Sequence, residues 1–212
     1  MRAVLFAMFA VFWLAALPRG AFASGILVIG DSLSAGYGIE QQQVWVTLLR
    51  DRLADYGFDA PVINASITGD TTRGGLARLP AALDRESPSV VIIALGGNDG
   101  LRGFSPIQTK SNLRQMISLS RQARADVLLL GVKLPANYGR AFGEKFHRVY
   151  LELATELDVA VVPFFLEGVA ETRELMQPDG IHPSAEAQPR ILENVWQGLE
   201  PLLTDLAAAV SP

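Results

Sequence analysis

Apolar and polar positions along this chain alternate between two rhythms. Nearly continuous apolar runs occur at Ile26-Leu27-Val28-Ile29, Pro61-Val62-Ile63-Asn64-Ala65, Ser89-Val90-Val91-Ile92-Ile93-Ala94-Leu95, Val127-Leu128-Leu129-Leu130-Gly131-Val132 and Val159-Ala160-Val161-Val162. Short apolar runs closed by glycine, proline or small polar residues read as strands buried on both faces, as in parallel sheets. Helical spacing fills the gaps. Val44 to Tyr56 puts Trp45, Leu48, Leu49 and Leu53 on one face, with Gly57 suited to its C-cap. A short helix is expected through Leu76, Leu79 and Leu83, interrupted near Pro80. Ser105-Pro106-x-Gln108 has a capping serine, proline at the first position and a capping-box glutamine. That helix should reach about Arg124 and bury Leu113, Met116 and Ile117. An apolar stripe at Phe142, Phe146, Val149, Tyr150, Leu153 and Leu157 marks another helix. A last one begins after Ser184 and buries Ile191, Leu192, Val195, Trp196 and Leu199, with a kink or break expected at Pro189 or Pro201.

Strands alternating with helices predict one three-layer α/β/α domain, flavodoxin-like, with a five-stranded parallel sheet. Right-handed crossovers restrict the topology, and the common order 2-1-3-4-5 sets strands one and three side by side with chain reversal between them. The loops leaving those two strands would then face one crevice, where such sheets bind ligands.

Composition adds a boundary at residue 23. Arg2 precedes fifteen uncharged, almost wholly apolar residues, Ala3 to Leu17; Pro18-Arg19-Gly20 breaks the run, and Ala21-Phe22-Ala23 has the small-x-small pattern of a cleavage site. The run is shorter than the roughly 20 residues of a membrane-spanning helix. Residues 1–23 are therefore expected to be an export signal and 24–212 the folded domain, placed in the periplasm or outside the cell with no stable membrane anchor. Without residues 1–23 the chain keeps 16 basic and 22 acidic residues, a net charge of −6. That balance opposes nucleic-acid binding. The chain has no cysteine, which excludes disulfides and thiolate chemistry.

The chemistry concentrates where apolar runs stop. Gly30-Asp31-Ser32-Leu33-Ser34 follows the first strand, and Ser32 would stand at its carboxyl end. Near the C-terminus comes Gln177-Pro178-Asp179-Gly180-Ile181-His182-Pro183. Prolines fence this loop and Gly180 permits a sharp bend, so Asp179 could hold one imidazole nitrogen of His182 and leave the other free. That is the base and its orienter in a Ser-His-Asp triad, for which Ser32 supplies the nucleophile. The alternative is a polar turn with Asp179 bonded to its own backbone. A tetrahedral intermediate also needs donors. Candidates are the backbone N–H of Ser32, the backbone N–H of Gly69 and the side-chain amide of Asn98, all on strand-end loops. The other histidine, His147, lies on the striped helix without an evident partner and reads as an ordinary helix residue.

These segments resemble the blocks of the SGNH/GDSL hydrolase family. Gly30-Asp31-Ser32-Leu33-Ser34 is similar to its first block, Asn64-Ala65-Ser66-Ile67-Thr68-Gly69-Asp70-Thr71 to the second, Gly96-Gly97-Asn98-Asp99 to the third and Asp179-Gly180-Ile181-His182-Pro183 to the last. The runs Gly74-Gly75-Leu76-Ala77-Arg78-Leu79-Pro80 and Gly96-Gly97-Asn98-Asp99-Gly100-Leu101-Arg102-Gly103 resemble the exported acyl-CoA thioesterase, lysophospholipase and arylesterase subgroup of Gram-negative bacteria. The resemblance implies Ser32 as nucleophile, Asp179 and His182 as the rest of the triad, and Ser32, Gly69 and Asn98 as oxyanion donors. It further implies hydrolysis of acyl esters and thioesters through an acyl-enzyme, without cofactor or metal.

Rival readings have weaker support. An ordinary α/β-hydrolase needs Gly-x-Ser-x-Gly, but Ser34 stands two residues after Ser32. A two-metal phosphoesterase built on Asp31, Asp99, Asp179 and His182 would have few histidines to draw on. A flavodoxin-like binding module would lack a phosphate fingerprint. Within ester chemistry, carbohydrate O-acetyl esters are the alternative substrates. Apolar strand-end residues, among them Leu76, Leu79, Leu134, Tyr138 and Phe164 to Leu166, are expected to form a shallow acyl groove. A monomer acting on a small-molecule ester is the expected working form.

Overall fold

A computed structural model describes residues 25–210 apart from 57 and 59. The expected export signal and the C-cap expected at Gly57 lie outside the described residues.

The apolar runs form β1 (Ile26–Gly30), β2 (Val62–Asn64), β3 (Val90–Ala94), β4 (Asp126–Leu130) and β5 (Ala160–Val162). All pairings are parallel and the order is β2-β1-β3-β4-β5, as the alternation of elements predicts. Every residue of β1 and β3 is buried, which explains runs without a polar face. One helical layer comprises α2 (Trp45–Asp55) and α7 (Gln188–Val210), which pack together. The other holds α3 (Thr72–Glu86), α5 (Pro106–Gln122) and α6 (Arg140–Leu157), each against the next.

Three local expectations fail, each for a reason the chain's own pattern does not carry. Pro80 does not interrupt α3, which runs through it. Pro80 is exposed, so the carbonyl that its ring leaves unbonded lies on the solvent side. In α7, Pro189 sits in the first turn, where a missing N–H costs nothing, and Pro201 is again exposed; the helix is unbroken. Ser105 caps α5 without a side-chain bond, so the expected capping box does not form.

Two short helices leave the sheet at its carboxyl edge: α1 (Ser32–Ala35) directly after β1 and α4 (Gly97–Leu101) just after β3. The register pairs Gly30 with Ala94, so both helices start from neighbouring strand ends. After β5 the chain runs irregularly until α7, and an antiparallel bridge between Met176 and Pro183 pinches off the loop carrying Asp179 and His182.

Candidate active site

Asp31 caps α1 by accepting the Leu33 N–H at 3.0 Å, and the turn that follows presents Ser32, which is 8 % exposed. The Oγ of Ser32 lies 2.9 Å from Nε2 of His182. The other ring nitrogen, Nδ1, lies 2.6 Å from Oδ2 of Asp179. Oδ1 of Asp179 accepts the backbone N–H groups of Ile181 at 2.9 Å and His182 at 3.0 Å. Partial burial would raise the Asp179 pKa, but these two N–H bonds, the ring bond and the charge of His182 outweigh it and hold the carboxyl at about 2. An ionised Asp179 accepts at Nδ1, which fixes the proton there and leaves Nε2 free to accept the Ser32 hydroxyl.

The loop around this pair is stitched locally. The Gln177 N–H donates to His182 O at 2.7 Å, and the Gln177 side-chain amide donates to Pro183 O at 2.9 Å and Tyr37 O at 2.7 Å. The Tyr37 ring stands 4.5 Å from the imidazole, centre to centre.

The opposite side of Ser32 is built from several strand ends. Gly69 has φ +79°, a conformation that favours glycine, and its carbonyl accepts from Arg102, the C-cap of α4, at 2.9 Å. This bond ties the β2 loop to the helix carrying Asn98. The Asn98 side-chain amide donates to Oδ2 of Asp31 at 3.3 Å. Burial pushes the Asp31 carboxyl up to about 6, against the pull of the Leu33 N–H, the Asn98 amide and the charge of His182. Beneath it, the buried Asp99 accepts the Thr72 N–H at 2.8 Å and the hydroxyls of Thr72 and Thr109.

A cavity of about 460 Å³ opens beside the serine, with apolar walls from Leu33, Leu101, Leu134, Phe164, Leu166 and Ile181. Of the residues expected to line an acyl groove, Leu134, Phe164 and Leu166 do so. Leu79 does not: it is fully buried, packed under α3 in the core. Leu76 is partly buried against that same core, and Tyr138 ends a short 3-10 turn near the cavity without lining it. Phe165 also belongs to the core. Sequence reasoning missed Leu33 and Leu101, although both stand within the quoted blocks one or three residues beyond Ser32 and Asn98. It missed Tyr37 and Gln177 as supports for the loop that carries His182. His147, read as partnerless, has Nδ1 at 3.2 Å from Val132 O, in keeping with a structural role on α6.

Serine hydroxyl, imidazole and carboxylate in one hydrogen-bonded series, at the carboxyl edge of a parallel sheet, have the geometry of a serine hydrolase. Comparison with known proteins narrows the class. The GDSL-like Lipase/Acylhydrolase family profile matches residues 28–189. Esterase TesA of Pseudomonas aeruginosa is 56 % identical over 187 residues, 88 % of this chain and 93 % of that protein. The thioesterase 1/protease 1/lysophospholipase L1 of Escherichia coli K12 is 48 % identical over 185 residues, 87 % of this chain and 88 % of that protein. A crystal structure of the psychrotrophic esterase EstA from Pseudoalteromonas sp., inhibited by monoethylphosphonate, superposes with a TM-score of 0.81 at 36 % identity, covering 85 % of this chain and 99 % of that one. The chain belongs to the GDSL-like lipase/acylhydrolase family, and it is an ester hydrolase.

Proposed function

We propose that this enzyme cleaves acyl esters and thioesters through a covalent acyl-enzyme on Ser32. The observation that carries the reading is the uninterrupted series Ser32 Oγ, His182 Nε2, His182 Nδ1 and Asp179 Oδ2. In the first step neutral His182 takes the Ser32 proton as Oγ attacks the acyl carbon, and Asp179 stabilises the imidazolium. The carbonyl oxygen becomes an oxyanion, which the N–H groups of Ser32 and Gly69 and the Asn98 amide receive. His182 then protonates the departing alcohol or thiol. Water repeats the cycle on the acyl-enzyme and releases the acid. One Asn98 hydrogen engages Asp31, and its second is the one assigned to the oxyanion.

The apolar cavity is assigned to the acyl chain. Relatives named esterase, thioesterase and lysophospholipase support a substrate range that includes fatty thioesters and lysophospholipids. The leader pattern at residues 1–23 supports export and action in the periplasm or outside the cell. Among the described residues no helix is long and apolar enough to cross a membrane. All the assigned groups come from one chain, which supports a working monomer.

The test is turnover of p-nitrophenyl esters of rising chain length beside acetylated sugars, by wild type and Ser32→Ala. Rates that climb beyond acetate and vanish in the variant are expected. Preference for acetylated sugars would contradict the acyl-chain assignment, and activity in Ser32→Ala would contradict the nucleophile.

A further inference from the structure

The run Gly74-Gly75-Leu76-Ala77-Arg78 takes no part in the proton transfers, yet its arginine reaches the edge of the site. The Arg78 guanidinium donates to three acceptors on separate segments. Nε bonds Oδ2 of Asp70 at 2.8 Å, one terminal nitrogen bonds Ala65 O, and the other bonds Gly30 O at 3.2 Å. Gly30 ends β1 two residues before Ser32, Ala65 follows the end of β2, and Asp70 is the residue after Gly69. One planar group thus joins the turn that presents the nucleophile to both ends of the loop that presents Gly69. A backbone bond from the Ile67 N–H to the same Gly30 carbonyl, at 3.0 Å, holds the middle of that loop.

Asp70 is itself fixed. Its Oδ1 accepts the Thr71 N–H at 2.9 Å, and the Thr71 hydroxyl caps α3 by accepting the Gly74 N–H at 3.3 Å. A Cβ on residue 74 would lie 1.9 Å from Asp70 Oδ1, so the glycine makes room for the carboxylate. The pair is largely withdrawn from water, with side-chain exposures of 23 % for Arg78 and 11 % for Asp70. A lysine could not replace the arginine here, because an ammonium on a flexible stem cannot span three acceptors held in a plane.

We propose that Arg78, oriented by Asp70, is a positioning residue for ester hydrolysis. It fixes the Gly69 N–H relative to Ser32 Oγ, and so sets the oxyanion geometry without touching substrate. This rests on the roles given above to Ser32 and Gly69. The acyl cavity is walled by other residues, so the consequence falls on the transition state and not on substrate binding.

Steady-state kinetics on p-nitrophenyl butyrate, with circular dichroism to confirm folding, separate this from a purely structural role. Arg78→Ala should lower kcat by about 30- to 100-fold with KM changed less than about threefold, as a small misplacement of an oxyanion donor would. Added guanidinium at non-denaturing concentration should restore part of the Arg78→Ala rate. Arg85→Ala, on the same helix but exposed and paired with its neighbour Glu86, should keep the wild-type kcat. If Arg78→Ala does not fold, Arg78→Lys and Asp70→Asn carry the test, with reduced kcat and unchanged KM expected. A folded Arg78 variant at the wild-type kcat, or one whose loss lies in KM alone, overturns the proposal. Ser32→Ala distinguishes the two levels. If it is inactive while Arg78 variants run at full rate, the clamp alone fails; if it is active, the nucleophile reading fails first.

Discussion

On one flank of Ser32, His182 and Asp179 stand three residues apart, in a loop whose polar bonds are mostly made among residues 177–183. On the other flank, Asn98, Gly69, Asp31 and Arg78 come from segments far apart in the chain and meet only where the strands end. Asp179 is 39 % exposed on its side chain, whereas Asp31 is 2 % exposed. The two carboxyls shift in opposite directions as a result. Backbone donors hold Asp179 ionised at about 2, while burial drives Asp31 up to about 6. The Asp179–His182 side is held mostly by bonds within its own loop, whereas the Gly69–Asn98 side is held by bonds between segments that the sheet brings together.

Substitutions on the two flanks should differ in size and kind. On the base side, His182→Ala removes proton transfer and should lower kcat by on the order of 10⁶-fold, the loss a triad histidine incurs. Measured rates within a factor of ten of wild type would break the comparison at its strongest point. Asp179→Asn keeps the shape but favours the wrong tautomer, and should cost about 10⁴-fold in kcat across the pH range. Recovery of that variant at high pH would contradict the tautomer argument. On the Gly69–Asn98 side, Asn98→Ala removes one of three assigned donors and should cost about 10² to 10³-fold in kcat with KM nearly unchanged.

The smallest expected effect is on stability. The Asp31 carboxyl titrates at about 6 in the folded enzyme and near 3.9 when unfolded. Between those values the folded state binds the extra proton, so the Asp31 contribution falls as pH rises through the window and is fully lost above it. Asp31→Asn removes this titration. The melting temperature of Asp31→Asn relative to wild type should therefore rise between pH 4 and pH 7, whatever its absolute offset. A relative fall over that range would show that the folded-state pKa is not raised.

The same contrast explains what could be read in the sequence. The strands and their order were legible because both faces of β1, β3 and β4 are buried, leaving continuous apolar runs. The Asp179–His182 pair was legible because its bonds are local. The uninterrupted course of α3 and α7 was not, since whether a proline breaks a helix depends on which face meets water. Leu79 and Phe164 look alike as strand-end hydrophobes, and packing alone sends one into the core and the other to the cavity wall. Arg78 stood inside a noticed motif but its function was hidden. Two of its three acceptors are backbone carbonyls, which every residue carries and no side-chain pattern reports.

The most direct measurement is the mass and location of a covalent adduct after reaction with a serine-directed phosphonate. One adduct per chain is predicted, on the peptide containing Ser32, absent from Ser32→Ala and formed far more slowly in His182→Ala. Undiminished labelling of Ser32→Ala, or an adduct on another residue, would contradict the account.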